Sequence, residues 1–165
     1  MTSDEVRTAS GSTIAGSERF DSPSAGTTES VGASLATRVA AGDVVLLEGD
    51  LAAGKTTLVR GLVRALGGDD AEVASPTFVL LLSYPCHLGE ILTVHHVDLY
   101  RIGERLADLR EIGLEEVLSE EHAVVAVEWP KDTLTPWIPS DARVWRVTIT
   151  TRDNESRLIE ITPPG

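Results

Sequence analysis

Short apolar runs, separated by glycine and polar residues, divide this chain into alternating strands and helices. The run 44–47 is too short for a helix and is β-branched at its start, and a glycine-containing loop follows it. From Leu58 to Leu66 the apolar residues recur at helical spacing, and Gly67 closes that segment. The pattern therefore predicts a strand, a loop and a helix over residues 43–66.

Two further apolar runs predict strands that end on acidic residues. Residues 91–97 precede Asp98, and the almost continuous run 123–127 precedes Glu128. A continuous apolar run indicates burial on both faces, which is typical of a parallel sheet covered by helices. Two alternating stretches, 144–149 and 156–161, predict an antiparallel C-terminal hairpin added to this sheet.

The first residues differ in composition from the rest of the chain. Residues 1–27 are rich in Ser, Thr, Gly and Ala and carry few large apolar side chains. We predict a largely disordered extension there, because such a segment buries little surface. A strand around Phe20 at the sheet edge is the alternative. A helix is predicted to begin at Thr28, and residues 28–165 are expected to form the folded domain.

The chain has 165 residues, which suits a single domain, and a formal net charge of -12. An acidic chain is poorly suited to gripping a nucleic-acid backbone by itself, because Lys and Arg supply that affinity. Cys86 is the only cysteine, so no internal disulfide forms. No secretory signal and no run of membrane-spanning length is recognisable. We therefore expect a cytoplasmic protein without membrane association.

Residues 49–56 fit the pattern G-x-x-x-x-G-K-[ST] of a phosphate-binding loop. Backbone N–H groups bind polyphosphate only if the loop curls around it, and Gly49 and Gly54 allow that curl. Lys55 is expected to reach the β- and γ-phosphates, and the Thr56 hydroxyl is expected to hold Mg²⁺. A chance match in a turn is the other interpretation, which the flanking strand and helix disfavour.

Asp98 and Glu128 are candidate site residues because each follows a buried strand. Ligands of open α/β sheets bind at the carboxyl edge of the strands, where Lys55 is also expected. If only one strand ended on an acid, that acid could equally serve as a cap of the following turn. His95 and His96 are adjacent and point to opposite faces of a strand, so we predict packing or hydrogen-bonding roles for them.

Two other segments allow a structural and a functional interpretation. Residues 75–78, Ser-Pro-Thr-Phe, are more typical of turn chemistry before a strand than of a site. Trp129 follows the acidic strand end, where it either stacks on a nucleotide or packs on the sheet edge.

Together these segments resemble the bacterial TsaE (YjeE) family over about residues 28–161. The order and spacing agree as well as the residues. The motifs are Gly49-Asp50-Leu51, Ala53-Gly54-Lys55-Thr56-Thr57, Ser75-Pro76-Thr77-Phe78, His96-Val97-Asp98-Leu99-Tyr100-Arg101 and Val127-Glu128-Trp129-Pro130.

The resemblance implies an α/β fold of the P-loop NTPase type, with three layers and a central, mostly parallel sheet. It implies an ATPase that uses ATP and Mg²⁺ and is needed for threonylcarbamoyl modification of tRNA adenosine. Such a protein assists a TsaB–TsaD complex, which stimulates its weak activity. It contacts tRNA only indirectly through these partners, in agreement with the acidic charge.

The resemblance also implies a role for individual residues. Thr77 would act as a switch near the γ-phosphate, Asp98 would belong to the metal shell, and Glu128 would orient water or contact the metal through water. Lys55 is the fourth implied catalytic residue, and Thr56 the third metal ligand. The implied nucleotide-binding residues are Gly49, Asp50, Leu51, Ala52, Ala53, Gly54, Lys55, Thr56, Thr57 and Trp129.

This chain departs from the family pattern at one position, because Ala52 stands where the family usually has glycine. Two other functions remain open from the residues. A small-molecule or nucleoside kinase needs the same phosphate loop and acids, although no arginine-rich lid is evident. A nucleotide-dependent binding module with negligible turnover needs only the loop.

Overall fold

The computed structural model describes residues 11–14, 16–102 and 106–165. Within these ranges the strands are β1 (Gly11–Ile14), β2 (Ser17–Ser22), β3 (Val44–Gly49), β4 (Leu81–Leu88), β5 (Ile91–Asp98), β6 (Ala123–Glu128), β7 (Val144–Thr151) and β8 (Arg157–Thr162). The α-helices are α1 (Ala25–Ala36), α2 (Lys55–Ala65), α3 (Leu106–Glu111) and α4 (Leu114–Leu118). Short 3-10 helices lie at Asp70–Glu72 and Asp132–Trp137.

All eight of these strands form one sheet in the order β1-β2-β8-β7-β3-β6-β5-β4. The four central strands, β7, β3, β6 and β5, run parallel to one another. The outer pairings, including the β7–β8 hairpin and the β4–β5 pair, are antiparallel. The predicted α/β fold with a parallel central sheet and an antiparallel C-terminal hairpin is confirmed.

The central strands are covered on both faces, which gives three layers. Val45 and Leu47 of β3 pack in the core that contains the buried residues of α1 and α2. Val44 and Leu46 point to the opposite face, into a core shared with α3 and α4. This alternation explains the continuous apolar run of β3, because a parallel strand between two layers has no solvent-facing side.

Helix α2 presents the apolar face that the spacing predicts. Each side chain of that face is fully buried: Leu58, Val59, Leu62, Val63 and Leu66. Helix α1 lies against it almost in backbone contact, since a Cβ added at Gly61 would lie 1.9 Å from the Glu29 carbonyl oxygen. This close packing fixes α2, and therefore also the loop that leads into its first residue.

The N-terminal segment differs from the predicted extension in its described part. β2 pairs with β8 along its length, and Phe20 is buried in the core. Helix α1 begins at Ala25 rather than Thr28, with the Ser24 hydroxyl accepting a hydrogen bond from the Thr27 N–H. The alternative of a strand around Phe20 is therefore the one observed, because β8 offers this strand a hydrogen-bonding partner. Residues 1–10 lie outside the described ranges.

The remaining elements follow the sequence closely. The strand expected after residues 75–78 is β4, which begins at Leu81, while the preceding Val79 is exposed. The charged segment 104–110 also predicts a helix from sequence. Helix α3 begins at Leu106, and residues 103–105 lie outside the described ranges. Cys86 is buried, as a packing residue is expected to be. Among the helices described, none combines the length and apolar character needed to cross a membrane.

Candidate functional site

The loop between β3 and α2 depends on glycine at both ends. Gly54 precedes the first residue of α2 and has a φ of 113°, in the region that side chains disfavour. At Gly49 an added Cβ would lie 2.7 Å from the Ile149 carbonyl oxygen of β7. Between them, the Ala53 N–H donates to the Asp50 carbonyl at 3.0 Å. The pattern's two glycines are therefore required by conformation and by space.

Ala52 occupies a strained position in this loop. Its φ is 62°, which is left-handed and unfavourable for a residue with a Cβ. The steric cost of that conformation is about 1–2 kcal/mol. Trp129, at the end of β6, has a φ of 56°. Backbone strain of this kind is found mainly where the surrounding structure holds a functional geometry in place.

Lys55 is buried where the loop and the strand ends meet. Its Nζ donates to the Gly49 carbonyl at 2.5 Å and to the Asp50 carbonyl at 2.9 Å. The same Nζ lies 4.2 Å from the centroid of the Trp129 ring, a cation–π distance. Burial lowers the pKa of Lys55, and the charges of nearby acids, Glu128 foremost, oppose that shift.

Glu128 joins three elements through one oxygen. The Thr56 hydroxyl donates to Oε1 at 2.8 Å, and Nε2 of His96 lies 2.9 Å from the same oxygen. Burial alone would raise the pKa of Glu128. The hydrogen bond from His96, its charge, the bond from Thr56 and the charge of Lys55 together lower that pKa. Because an ionised carboxylate only accepts hydrogen bonds, His96 Nε2 carries the donated proton.

Asp98 is held at the neighbouring strand end. In the β5–β6 register Asp98 pairs with Glu128, so both carboxylates reach the same edge of the sheet. The Thr77 hydroxyl donates to Asp98 Oδ2 at 2.7 Å, and the Tyr100 N–H donates to Oδ1 at 2.8 Å. The Ser75 hydroxyl in turn lies 2.7 Å from that of Thr77. The loop 75–78 is thus linked to the acidic strand end.

These groups line one cleft of about 360 Å³. Its walls contain most of the predicted site: Leu51, Ala52, Ala53, Gly54, Lys55, Thr56, Thr57, Ser75, Thr77, Asp98, Glu128 and Trp129. Gly49 and Asp50 belong to the predicted set but contribute carbonyl groups to Lys55 instead of lining the cleft. A larger cavity of about 820 Å³ lies elsewhere and contains none of the predicted residues.

A second cavity of about 580 Å³ lies against the other side of the phosphate loop. It shares Ala52, Ala53, Gly54 and Thr57 with the cleft. Its remaining wall combines the N-terminal segment with the hairpin: Ser22, Pro23, Ser24, Ala25, Thr28, Thr151, Glu155 and Arg157. The loop therefore separates a charged cleft from a polar cavity.

The oxygen atoms at the strand ends fit a magnesium ion. Thr56 supplies a hydroxyl, while Asp98 and Glu128 supply buried carboxylates. Over the described ranges, no three His, Cys, Asp or Glu side chains gather into a metal site of their own. Mg²⁺ is usually bound by one or two protein oxygens together with phosphate and water, so a partial protein shell is the expected one.

Three residues of the site were missed or given only a general role by the sequence. His96 was expected to pack or hydrogen-bond, and its contact with Glu128 makes it part of the site. Its position two residues before Asp98, on the same face of β5, was the available signal. Tyr100 lies with its ring centroid 4.9 Å from that of Trp129. Arg157, which contacts the phosphate loop, carried no sequence signal.

A parallel sheet that ends on a phosphate loop, a lysine, a threonine and two carboxylates defines a nucleotide-binding protein of the P-loop class. The family model of the threonylcarbamoyl adenosine biosynthesis protein TsaE matches residues 22–159. The chain therefore belongs to the TsaE family.

Individual relatives agree with the family match. The TsaE protein of Nostoc sp. is 39% identical over 139 residues, which cover 82% of this chain and 80% of the relative. The TsaE protein of Streptomyces coelicolor is 44% identical over 60% of this chain and 64% of its own length. The crystal structure of Bacillus subtilis YdiB superposes with a TM-score of 0.67 at 25% identity, covering 93% of this chain and 90% of that one.

The strain at Ala52 predicts the effect of restoring glycine. A52G removes a steric cost of about 1–2 kcal/mol and adds a chain-entropy cost of about 0.5–1 kcal/mol. We expect the free energy of unfolding in urea to rise by up to about 1 kcal/mol. A53G, at a loop position without positive φ, serves as the control and should lower it. A clear loss of stability in A52G would contradict the strain at this position.

Proposed function

We propose that this chain binds ATP with Mg²⁺, hydrolyses it slowly, and is stimulated by a TsaB–TsaD-like complex in threonylcarbamoyl modification of tRNA adenosine. One observation carries the proposal. The Thr56 hydroxyl and His96 both hydrogen-bond to Glu128, in the cleft that also contains Lys55. Family membership supports the biological process. The cytoplasm, where a reduced Cys86 is expected, is the proposed location.

Binding would depend on backbone donors and one cation. The N–H groups of the loop and of the first turn of α2 would hold the phosphates, aided by the positive end of the helix. Lys55 would exchange its bonds to the Gly49 and Asp50 carbonyls for phosphate oxygens. Thr56, Asp98 and Glu128 would hold Mg²⁺, directly or through water. When bound, Mg²⁺ neutralises charge that develops on the phosphate oxygens.

The cavity on the other side of the loop supports a place for the rest of the nucleotide. It shares Thr57 and the loop backbone with the charged cleft, so a ligand seated on the loop reaches both. Its accessible wall offers hydroxyl groups from Thr57 and Thr151. Hydroxyl groups of this kind pair with the polar edges of a sugar or a base.

Glu128 is the group proposed to orient the attacking water. It is buried, its lowered pKa keeps it ionised at neutral pH, and both of its hydrogen bonds end on Oε1. Oε2 is therefore the oxygen proposed to accept a proton of the water. Thr77, bonded to Asp98 of the neighbouring strand, would respond to the γ-phosphate through that bond.

The scarcity of cations among the described residues of the cleft supports slow intrinsic turnover. Among the described residues that line it, Lys55 is the one cation and there is no arginine. Phosphoryl transfer often awaits an arginine or another group supplied by a partner. Leu51 lines the cleft and Phe78 follows the lining residue Thr77. Their apolar side chains, 62% and 79% exposed, offer a partner contact. The net charge of -12 supports contact with tRNA through partners only.

Phosphate release from Mg²⁺-ATP tests the proposed coupling. The wild-type chain alone should release phosphate slowly, and addition of the TsaB–TsaD pair from the same source should increase the rate. K55A should show neither activity, because it removes the one cation among the described residues that line the cleft. A circular dichroism spectrum checks that K55A is folded. No response of wild type to the pair would contradict the coupling and direct attention to a kinase acceptor.

E128A should separate nucleotide binding from turnover. The loop and Lys55 would still hold the phosphates in this variant, and Thr56 and Asp98 would still hold Mg²⁺. Nucleotide affinity should therefore change by less than about tenfold. Partner-stimulated phosphate release should fall by about 100-fold or more. E48A is the matched control, since Glu48 is an exposed acid of β3 beside the loop. Phosphate release by E128A at the wild-type rate would exclude Glu128 from this role.

A further inference from the structure

Arg157, the first residue of β8, lies against the outer side of the phosphate loop. Its Nε donates to the Ala53 carbonyl at 2.9 Å, and Nη2 donates to the Ala52 carbonyl at 3.3 Å. Nη1 donates to the Glu155 carbonyl in the hairpin turn. One guanidinium therefore bridges two successive loop carbonyls and the turn that precedes its own strand.

These bonds control the orientation of the loop's peptide groups. In a trans peptide the carbonyl and the following N–H point in opposite directions. A carbonyl held by Arg157 therefore directs the next N–H away from the guanidinium. The Ala53 N–H is already used by the Asp50 carbonyl. Fixing the Ala53 carbonyl consequently fixes the Gly54 N–H, one of the donors at the start of α2.

The backbone of Arg157 is held on both sides by neighbouring strands. Its guanidinium is therefore anchored firmly where it bonds to the loop carbonyls. Its backbone pairs with Ser22 of β2 on one side and with Thr151 of β7 on the other. An arginine donates from several nitrogen atoms in a fixed plane, whereas a lysine offers a single ammonium group. The bridge also reaches Ala52, whose left-handed backbone needs support from outside the loop.

We propose that Arg157 is a positioning residue that holds the phosphate loop in its binding conformation. The expected effect on nucleotide affinity rests on the proposed function. The hydrogen bonds from Arg157 to the Ala52 and Ala53 carbonyls do not depend on a nucleotide. Arg157 acts from the sheet through the Ala52 and Ala53 carbonyls, and it need not contact the phosphates.

Amide hydrogen exchange of the full chain without nucleotide tests the bridge directly. In R157K and R157Q, exchange in the segment 50–57 should increase by about tenfold over wild type, because the loop loses two of its external bonds. R152K and R152Q are matched controls, since Arg152 lies in the same hairpin and pairs with Asp21 instead of the loop. Exchange in the segment 58–65 of α2 should stay unchanged in all four variants.

A titration with a fluorescent ADP analogue and Mg²⁺ tests the consequence. We expect R157K and R157Q to bind it about five- to tenfold more weakly than wild type, with both Arg152 variants unchanged. Exchange in 50–57 that stays at the wild-type rate in R157Q would overturn the bridge, whatever the affinity. Faster exchange with unaltered affinity would overturn the positioning role. If exchange is faster in R157Q but the wild-type chain binds no nucleotide, the role of Arg157 in holding the loop stands and the proposed function is refuted.

Discussion

The buried Glu128 carboxylate is the group on which the geometry of the cleft depends. Its Oε1 accepts hydrogen bonds from Thr56 of α2 and His96 of β5, while its own backbone belongs to β6. Three elements that are distant in sequence are thereby held at one point. The carboxylate tolerates this burial because it is paired with donors and a cation, since an unpaired buried charge is very unfavourable.

Among the described residues around Lys55, carboxylates outnumber the one cation. Lys55 is surrounded by the carboxylates of Glu128, Asp98 and Asp50, and its ammonium group also faces the Trp129 ring. This excess of negative charge favours a divalent cation, and a polyphosphate enters more readily with that cation than alone, because their charges offset one another. Burial lowers the pKa of Lys55 although these acids oppose the shift. Burial would raise the pKa of Glu128, but His96, Thr56 and the charge of Lys55 lower it.

The positions of the central site residues were predictable from sequence because each follows from a pattern within one short segment. The loop pattern fixes Lys55 and Thr56 at the start of a helix, and two buried strands place Asp98 and Glu128 at one edge. The contact between His96 and Glu128 was not predictable, since it depends on the pairing of β5 with β6. The role of Thr77 came from family resemblance, because Ser-Pro-Thr alone is ordinary turn chemistry.

The periphery of the fold was less predictable because it depends on partners far along the chain. β2 is too polar to indicate a strand by itself, and it forms because β8 offers an edge. Arg157 reaches Ala52 and Ala53 across more than 100 residues of sequence. Such contacts are visible only when the strand order is known, which single-sequence patterns do not provide.

A crystal structure of the chain with Mg²⁺ and a non-hydrolysable ATP analogue tests the central claim most directly. We expect phosphates hydrogen-bonded to the backbone N–H groups of residues 53–57, with Lys55 on the terminal phosphates. We also expect a metal ion in contact with the Thr56 hydroxyl. An analogue bound outside this cleft, with Lys55 still on the Gly49 and Asp50 carbonyls, would contradict the claim.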